Sequence, residues 1–150
     1  MAKTININYE QCSIDELSTA DRELTQAAFE ATARSYSPYS GFKVGAAVRL
    51  ASGEIITAAN CESEVFPSGM CAERSLLYHY ASNHATSPIE AMAIASDPSE
   101  RECYPCGACR QVILDAENRQ QRPIRIIMAG GGTATIVESA KDLLPFTFRL

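Results

Sequence analysis

The chain has 150 residues, of which 46% are hydrophobic and 21% are charged, and its formal net charge is −5. From this length we expect residues 1–150 to form a single domain, with 1–17 as an N-terminal extension. No run of lysines and arginines provides the basic stripe that neutralises phosphates, which argues against a nucleic-acid partner. No apolar stretch follows Lys3 as in a signal peptide, and none approaches the roughly 18 residues of a membrane span, so we expect a cytoplasmic protein without a membrane partner.

Helical and alternating apolar patterns then follow one another along the chain. Residues 5–9 alternate between apolar and polar side chains, which favours a short edge strand or an ordered tail. The other segments are bounded by serine caps and by proline or glycine turns. They are helices over 18–35, 71–82 and 106–119, and strands over 42–50, 54–59, 89–96, 123–128 and 133–138.

The predicted order of these elements is α-ββ-α-β-α-β-β. Helices that alternate with strands indicate a sheet covered by helices on both faces. We therefore predict an α/β fold, a three-layer α/β/α sandwich with a central mixed five-stranded sheet. The second and third helices begin at cysteines, Cys71 and Cys106.

Three of the cysteines have the spacing of a metal site. In a chain without an export signal, C-x-x-C is more typical of metal binding or redox chemistry than of disulfides. Cys106 and Cys109 lie on one face of a first helical turn, and Cys71 begins another helix, where free N–H groups favour thiolates. Catalytic zinc keeps three protein ligands and an open position for water. We predict one Zn²⁺ per chain, bound by Cys71, Cys106 and Cys109.

Two charged residues follow Cys71 and complete the predicted site. Glu73 can take a proton from a water beside the metal and return it to the substrate, so it is the predicted catalytic acid and base. Three thiolates and Zn²⁺ leave a net charge of −1, which weakens the metal as a Lewis acid. Arg74 lies on the same helical face as Cys71, and we predict that it compensates this charge by hydrogen bonding to the sulfurs.

Other readings of the cysteines remain open at this point. A structural zinc site needs four ligands, and Cys103 is the candidate for the fourth. A redox C-x-x-C pair would not need Cys71 or Glu73. A non-catalytic zinc-binding interaction domain is the alternative from a different functional class, and Glu73 argues against it because a structural site has no use for that carboxylate.

Five ordered segments resemble the small homo-oligomeric cytidine deaminase family, and the resemblance covers about residues 20–148. The metal motifs alone are typical of the wider deaminase superfamily, whereas the first and last segments narrow the resemblance to this family. The segments are YSPYSGFKVGAA at 36–47, NCE at 60–62, CAER at 71–74, PCGACRQ at 105–111 and LLPFTF at 143–148.

The resemblance implies a zinc-dependent hydrolysis. Cytidine, and also 2′-deoxycytidine, would be converted to uridine or deoxyuridine and ammonia in pyrimidine salvage. Water activated by the zinc would attack C4 of the cytosine while Glu73 transfers the protons.

The resemblance also implies how a small-molecule nucleoside is bound. Asn60 and Glu62 match the family's ribose-binding pair, and Phe42 matches the aromatic residue that packs against the pyrimidine. The backbone of Ala72 would contact the base edge. Phe148 matches an aromatic residue that enters the site of a neighbouring subunit, which implies a homotetramer.

The chain departs from the family at Ser63 and Phe66, where relatives carry Asn and Tyr, and these departures bear on subunit contacts and substrate preference. Within the superfamily, a deaminase of a cytosine-containing antibiotic such as blasticidin S is the runner-up, and the sugar pair and the C-terminal segment favour the nucleoside. A polynucleotide deaminase fits less well, because those enzymes usually have His as first ligand and this chain lacks a basic groove.

Overall fold

The computed structural model describes residues 1–150 and contains three α-helices and six strands. The helices are α1 (Thr19–Ala31), α2 (Ala72–Asn83) and α3 (Gly107–Gln120). The strands are β1 (Glu10–Ser13), β2 (Lys43–Leu50), β3 (Ile55–Ala59), β4 (Ile89–Asp97), β5 (Arg125–Gly130) and β6 (Thr133–Val137). None of the helices combines the length and the hydropathy that a membrane span needs.

All six strands join one sheet in the order β1-β6-β5-β4-β2-β3. Only β4 and β5 are parallel neighbours, and every other pairing is antiparallel, so the sheet is mixed as predicted. The predicted number of strands was wrong: the sheet has six strands and not five. The additional strand is β1, which pairs with β6 at the edge, whereas the alternating residues 5–9 form no strand. Local periodicity missed β1 because its four residues have no apolar alternation and are held by a pairing more than 100 residues away.

One face of the sheet is covered by α1, which lies very close to the strands. Small side chains at Ala47, Ala91, Ala93 and Ala95 meet Leu24 and Ala28 of the helix in one core cluster. Gly45 marks the closest approach, because a Cβ atom there would lie 2.0 Å from the backbone oxygen of Ala28.

The opposite face is covered by α2 and α3, which pack against each other as well as against the sheet. Larger side chains fill this core, among them Val48 and Met92 of the sheet and Leu76 and Ile113 of the helices. The strand residues alternate between the two cores, since Ala93 faces α1 while Met92 faces α2 and α3. The predicted three-layer α/β/α sandwich is therefore confirmed, with α2 and α3 beginning close together.

Candidate active site

The starts of α2 and α3 bring three cysteine sulfurs together. Cys71 is the N-cap residue of α2, Cys106 is the N-cap residue of α3, and Cys109 lies in the first turn of α3. Neither N-cap side chain makes a capping hydrogen bond. The three Sγ atoms all lie within 4.8 Å of one another. The thiols are therefore directed at a common point and not at their own helices.

This cluster fits a zinc ion. Thiolates bound tetrahedrally at about 2.3 Å from zinc lie about 3.8 Å apart, so the sulfurs need only a small contraction to bind one. Cys103 is half-buried and does not belong to the cluster, which has three members. A three-ligand set leaves a position open for water, as catalytic zinc sites do and structural sites do not. The thiol chemistry and the spacing thus support a single Zn²⁺ of the catalytic type.

Arg74 contacts the first sulfur of the cluster. Its Nη2 donates a hydrogen bond to Cys71 Sγ at 3.5 Å, while its buried Nε has no partner in the chain. The hydrogen bond with Cys109, followed by that from Arg74, lowers the pKa of Cys71 below the usual value of a thiol. The contact is the one predicted for Arg74, and its effect on zinc chemistry stays a prediction.

Glu73 lies on the inner side of the same helix start. Its side chain is buried, with only 4% of the residue exposed, and this burial raises the pKa of its carboxyl group to about 7. A carboxyl group that titrates near neutrality can both accept and release a proton during one reaction cycle. Ala72, the first residue of α2, lies between Cys71 and Glu73 in the chain and is fully buried.

A cavity of about 320 Å³ opens beside the cysteine cluster, and Asn60, Glu62, Cys71 and Arg74 all line it. The predicted sugar pair and the predicted metal ligand therefore face the same space. Backbone groups of the segment 35–42, which precedes β2, hold both members of the pair. Asn60 Nδ2 donates to the Phe42 carbonyl at 2.9 Å, and Glu62 Oε1 accepts from the N–H groups of Tyr39 and Ser40 at 3.0 and 3.1 Å.

The two predicted aromatic residues do not line this cavity within one chain. Phe42 is 43% exposed and lines a neighbouring cavity of about 760 Å³ together with Cys103 and Tyr104. Phe148 is 74% exposed and lies in a separate cleft beside Gln111 and Asp115 of α3.

Several contributors to the cavity were missed at the sequence level. Cys61, Phe66 and Met70 also line it, and Ser35 hydrogen-bonds the side chain of Asn60. The motif YSPYSGF at 36–42 pointed to this region, but the roles of Tyr39 and Ser40 in holding Glu62 use backbone N–H groups. Backbone donors are common to nearly all residue types, so no side-chain pattern could have identified them.

The family model described as "Cytidine and deoxycytidylate deaminase zinc-binding region" matches residues 18–121. A cytidine deaminase of Halalkalibacterium halodurans is 38% identical over 96 residues, covering 63% of this chain and 71% of that protein. A blasticidin-S deaminase of Bacillus cereus is 32% identical over 105 residues, covering 66% of this chain and 74% of the other. The crystal structure of a cytidine deaminase from Burkholderia pseudomallei has a TM-score of 0.73 at 32% identity, covering 84% of this chain and 97% of that one.

Proposed function

The chain belongs to the cytidine and deoxycytidylate deaminase family of zinc-dependent hydrolytic deaminases, and from this premise we propose that it hydrolyses cytidine, and also 2′-deoxycytidine, to uridine or deoxyuridine and ammonia. The observation that carries the proposal is the convergence of three thiols with the buried carboxylate of Glu73 beside a cavity lined by Asn60 and Glu62. Similarity to cytidine deaminases supports the choice of substrate.

Glu73 transfers the protons in the proposed reaction. Cys71, Cys106 and Cys109 would hold the zinc, which would supply the Lewis acid that activates water toward C4 of the cytosine. Glu73 takes one proton from the attacking water and delivers it to N3. It then carries the second proton to the amino group, which leaves as ammonia. The raised pKa of Glu73, about 7, suits a group that must gain and lose a proton in each turnover.

The nucleoside is bound by groups on both sides of the helix start. Asn60 and Glu62 bind a sugar hydroxyl. The N–H of Ala72 faces the edge of the base, and it is available because an N–H in the first helical turn has no carbonyl partner within the helix. Phe42 packs against the pyrimidine from the adjoining cavity. These assignments follow the motif positions of the family, and the shared cavity supports those of Asn60 and Glu62.

The proposed setting of the enzyme is pyrimidine salvage in the cytoplasm by a homotetramer. None of the six cysteines forms a disulfide, as is usual for thiols in a reducing compartment. The highly exposed Phe148 fits a residue that is buried only when a second copy of the chain is present.

The Glu73→Ala variant tests the proposed role of the carboxylate. We expect it to retain one zinc per chain and to lose cytidine turnover by about 10²- to 10⁴-fold, because the metal ligands remain while proton transfer is lost. Turnover is measured by the loss of cytosine absorbance, and zinc by metal analysis of the purified protein. Glu23→Ala, at an exposed position of α1, is the matched control and should keep full activity.

Two results would contradict the proposal in different ways. Substantial turnover by Glu73→Ala would refute the role of the carboxylate while leaving the substrate in place. Zinc without any deamination by the wild-type protein would instead favour a zinc-binding interaction domain.

A cytosine-containing antibiotic is the second candidate substrate, since the chain is also similar to a blasticidin-S deaminase. Offering blasticidin S in the same assay separates the two, and a kcat/KM for the antibiotic above that for cytidine would favour it.

A further inference from the structure

We propose that Ser35 is a positioning residue for sugar recognition: its hydroxyl fills the last free acceptor site of the Asn60 side chain, so that Asn60 meets the substrate only as a hydrogen-bond donor. This inference rests on the proposed function, because it concerns how the same cavity reads the sugar of a nucleoside. Nothing in the sequence pattern singles out Ser35, and the contact spans 25 residues.

The orientation of the Asn60 amide is set by two backbone groups. The N–H of Val44 donates to Oδ1 at 2.8 Å, and Nδ2 donates to the carbonyl of Phe42 at 2.9 Å. A backbone N–H can only donate and a carbonyl can only accept, so the amide cannot be flipped without losing both bonds. These bonds use one of the two acceptor sites of Oδ1 and one of the two hydrogens of Nδ2.

Ser35 occupies the other acceptor site. Its Oγ lies 2.5 Å from Asn60 Oδ1 and 3.1 Å from the Oγ of Ser37, so the hydroxyls form a short chain that ends on the amide oxygen. Ser35 is half-buried at the end of the 3₁₀ turn that follows α1. With both lone pairs of Oδ1 engaged, the only unused capacity of Asn60 is one N–H donor. Hydrogen bonds accepted by Oδ1 also polarise the amide and strengthen that donor.

Glu62 has the complementary capacity. Both backbone hydrogen bonds from the segment 35–42 end on Oε1, from the N–H groups of Tyr39 and Ser40, and a carboxylate with about four lone-pair sites keeps further capacity to accept. Hydrogen bonds from Ser40, followed by that from Tyr39, lower the pKa of this carboxyl group, so near neutral pH it is an ionised acceptor. The pair therefore offers one donor and one acceptor, which a single sugar hydroxyl satisfies by accepting from Asn60 and donating to Glu62.

Removing the Ser35 hydroxyl frees an acceptor site on Asn60 and changes what the pair recognises. The amide oxygen then competes with Glu62 for the hydroxyl proton or takes up water, and the donor is less polarised. The sugar hydroxyl is remote from the reacting carbon, so its binding is lost about equally from the ground state and the transition state. Such a loss raises KM and leaves kcat nearly unchanged.

The test combines variants of Ser35 with nucleosides that lack single hydroxyls. Wild type, Ser35→Ala and Ser35→Thr are assayed with cytidine, 2′-deoxycytidine and 3′-deoxycytidine, and kcat and KM are measured separately. Ser87→Ala is the matched control, because Ser87 is half-buried and its hydroxyl accepts one hydrogen bond, from the N–H of Ser52 in a distant turn.

We expect Ser35→Ala to raise KM for cytidine about five- to tenfold, the effect of one hydrogen bond, with kcat changed less than about twofold. For the deoxynucleoside that lacks the recognised hydroxyl, the ratio of the KM of Ser35→Ala to the KM of the wild type should fall to about one. Ser35→Thr restores a hydroxyl and should restore the KM for cytidine. Ser87→Ala should leave every KM unchanged.

A role of Ser35 limited to loop structure would raise KM equally for all three nucleosides, and that result, or an unchanged KM for Ser35→Ala, overturns the proposal. If Ser35→Ala does not fold, Ser35→Cys carries the same comparison with a weak donor of similar size. The proposed function fails separately, through a wild-type protein that does not deaminate cytidine.

Discussion

Glu73 and Arg74 are neighbours in the chain, yet the helix turns them into different surroundings. Arg74 reaches back to the sulfur of Cys71, three residues before it, whereas Glu73 is directed into the protein, where burial raises its pKa to about 7. Successive residues of a helix are rotated by about 100°, so one turn can present a ligand, a proton carrier and a cation without crowding. The predicted proton carrier and the predicted cation thus both lie in the first turn of α2, next to the ligand Cys71.

Replacing Arg74 by Gln tests whether its charge matters to the metal. The variant keeps a hydrogen-bond donor but leaves the net charge of −1 on three thiolates and zinc uncompensated. We expect a loss of about 10- to 100-fold in activity or zinc affinity, the usual effect of altering a group that supports metal ligands. Steady-state kinetics measure the activity, and competition with a chelator measures the zinc affinity.

The control for this variant is Arg122→Gln, which removes an equal charge from a partly exposed pair with Glu90. It should behave as the wild type, since surface ion pairs contribute little. Full turnover together with unchanged zinc affinity in Arg74→Gln would refute charge compensation.

At the scale of the elements, the site depends on how the helix layers rest on the sheet. The starts of α2 and α3 form the cysteine cluster because both helices pack on one face, against large side chains. On the other face α1 approaches β2 very closely at Gly45, and a 3₁₀ turn leads from it into the segment 35–42 that holds Asn60 and Glu62. The spacing of α1 from β2 therefore also places the proposed sugar-binding pair.

The Gly45→Ala variant tests this close packing. The added methyl group would lie 2.0 Å from the Ala28 carbonyl, so the helix or the strand must move. Overpacking of this kind costs about 1–3 kcal/mol, which corresponds to a fall of roughly 2–12 °C in melting temperature for a chain of this size. Circular dichroism recorded during thermal denaturation measures the melting temperature.

Gly107→Ala is the matched control, because a Cβ at Gly107 meets nothing within 4 Å. Its melting temperature should not fall. A Gly45→Ala protein as stable as the wild type would show that α1 can shift at little cost.

At the scale of the whole molecule, one chain leaves large aromatic side chains in solvent. Phe66 is 82% exposed and Phe148 is 74% exposed, and Phe66 lines the proposed substrate cavity. Exposed apolar groups beside a binding cavity are typical of surfaces that another chain covers. We propose that such a chain is part of a tetramer in which Phe148 completes the site of a neighbour.

Complementation between two defective variants tests such sharing. Phe148→Ala chains keep Glu73 in their own site but no longer provide the aromatic residue to the site of a neighbouring subunit. Glu73→Ala chains keep Phe148 but lack the carboxylate in their own site. We expect each variant alone to have at most about a tenth of wild-type activity with cytidine. Co-expressed in equal amounts, they should recover about a quarter, since random assembly unites both intact residues at one site in four.

Mixing the two purified variants without subunit exchange provides the control and should recover nothing. Co-expressed chains that show only the average of the two variants would contradict a shared site.

The sequence alone determined the metal-binding chemistry of this protein and most of its elements. Cysteines at helix starts, a carboxylate two residues after the first of them and the apolar periodicities are local features, and each follows from residue type and spacing. The predicted bounds of β2–β6, α2 and α3 lie within two residues of those observed, and α1 passes into a 3₁₀ turn over Thr32–Arg34 where the helix was predicted to continue.

Contacts between distant segments were decided only by the tertiary structure. β1 forms because residues 10–13 pair with the free edge of β6. The side-chain oxygen of Asn60 has no free acceptor site because Ser35 and Val44, from other parts of the chain, both donate to it. The separation of Phe42 and Phe148 into different cavities is of the same kind. Backbone donors and loop packing carry no signature in residue type. The metal site could therefore be predicted from the sequence, whereas the hydrogen-bond partners that orient Asn60 and Glu62 could not.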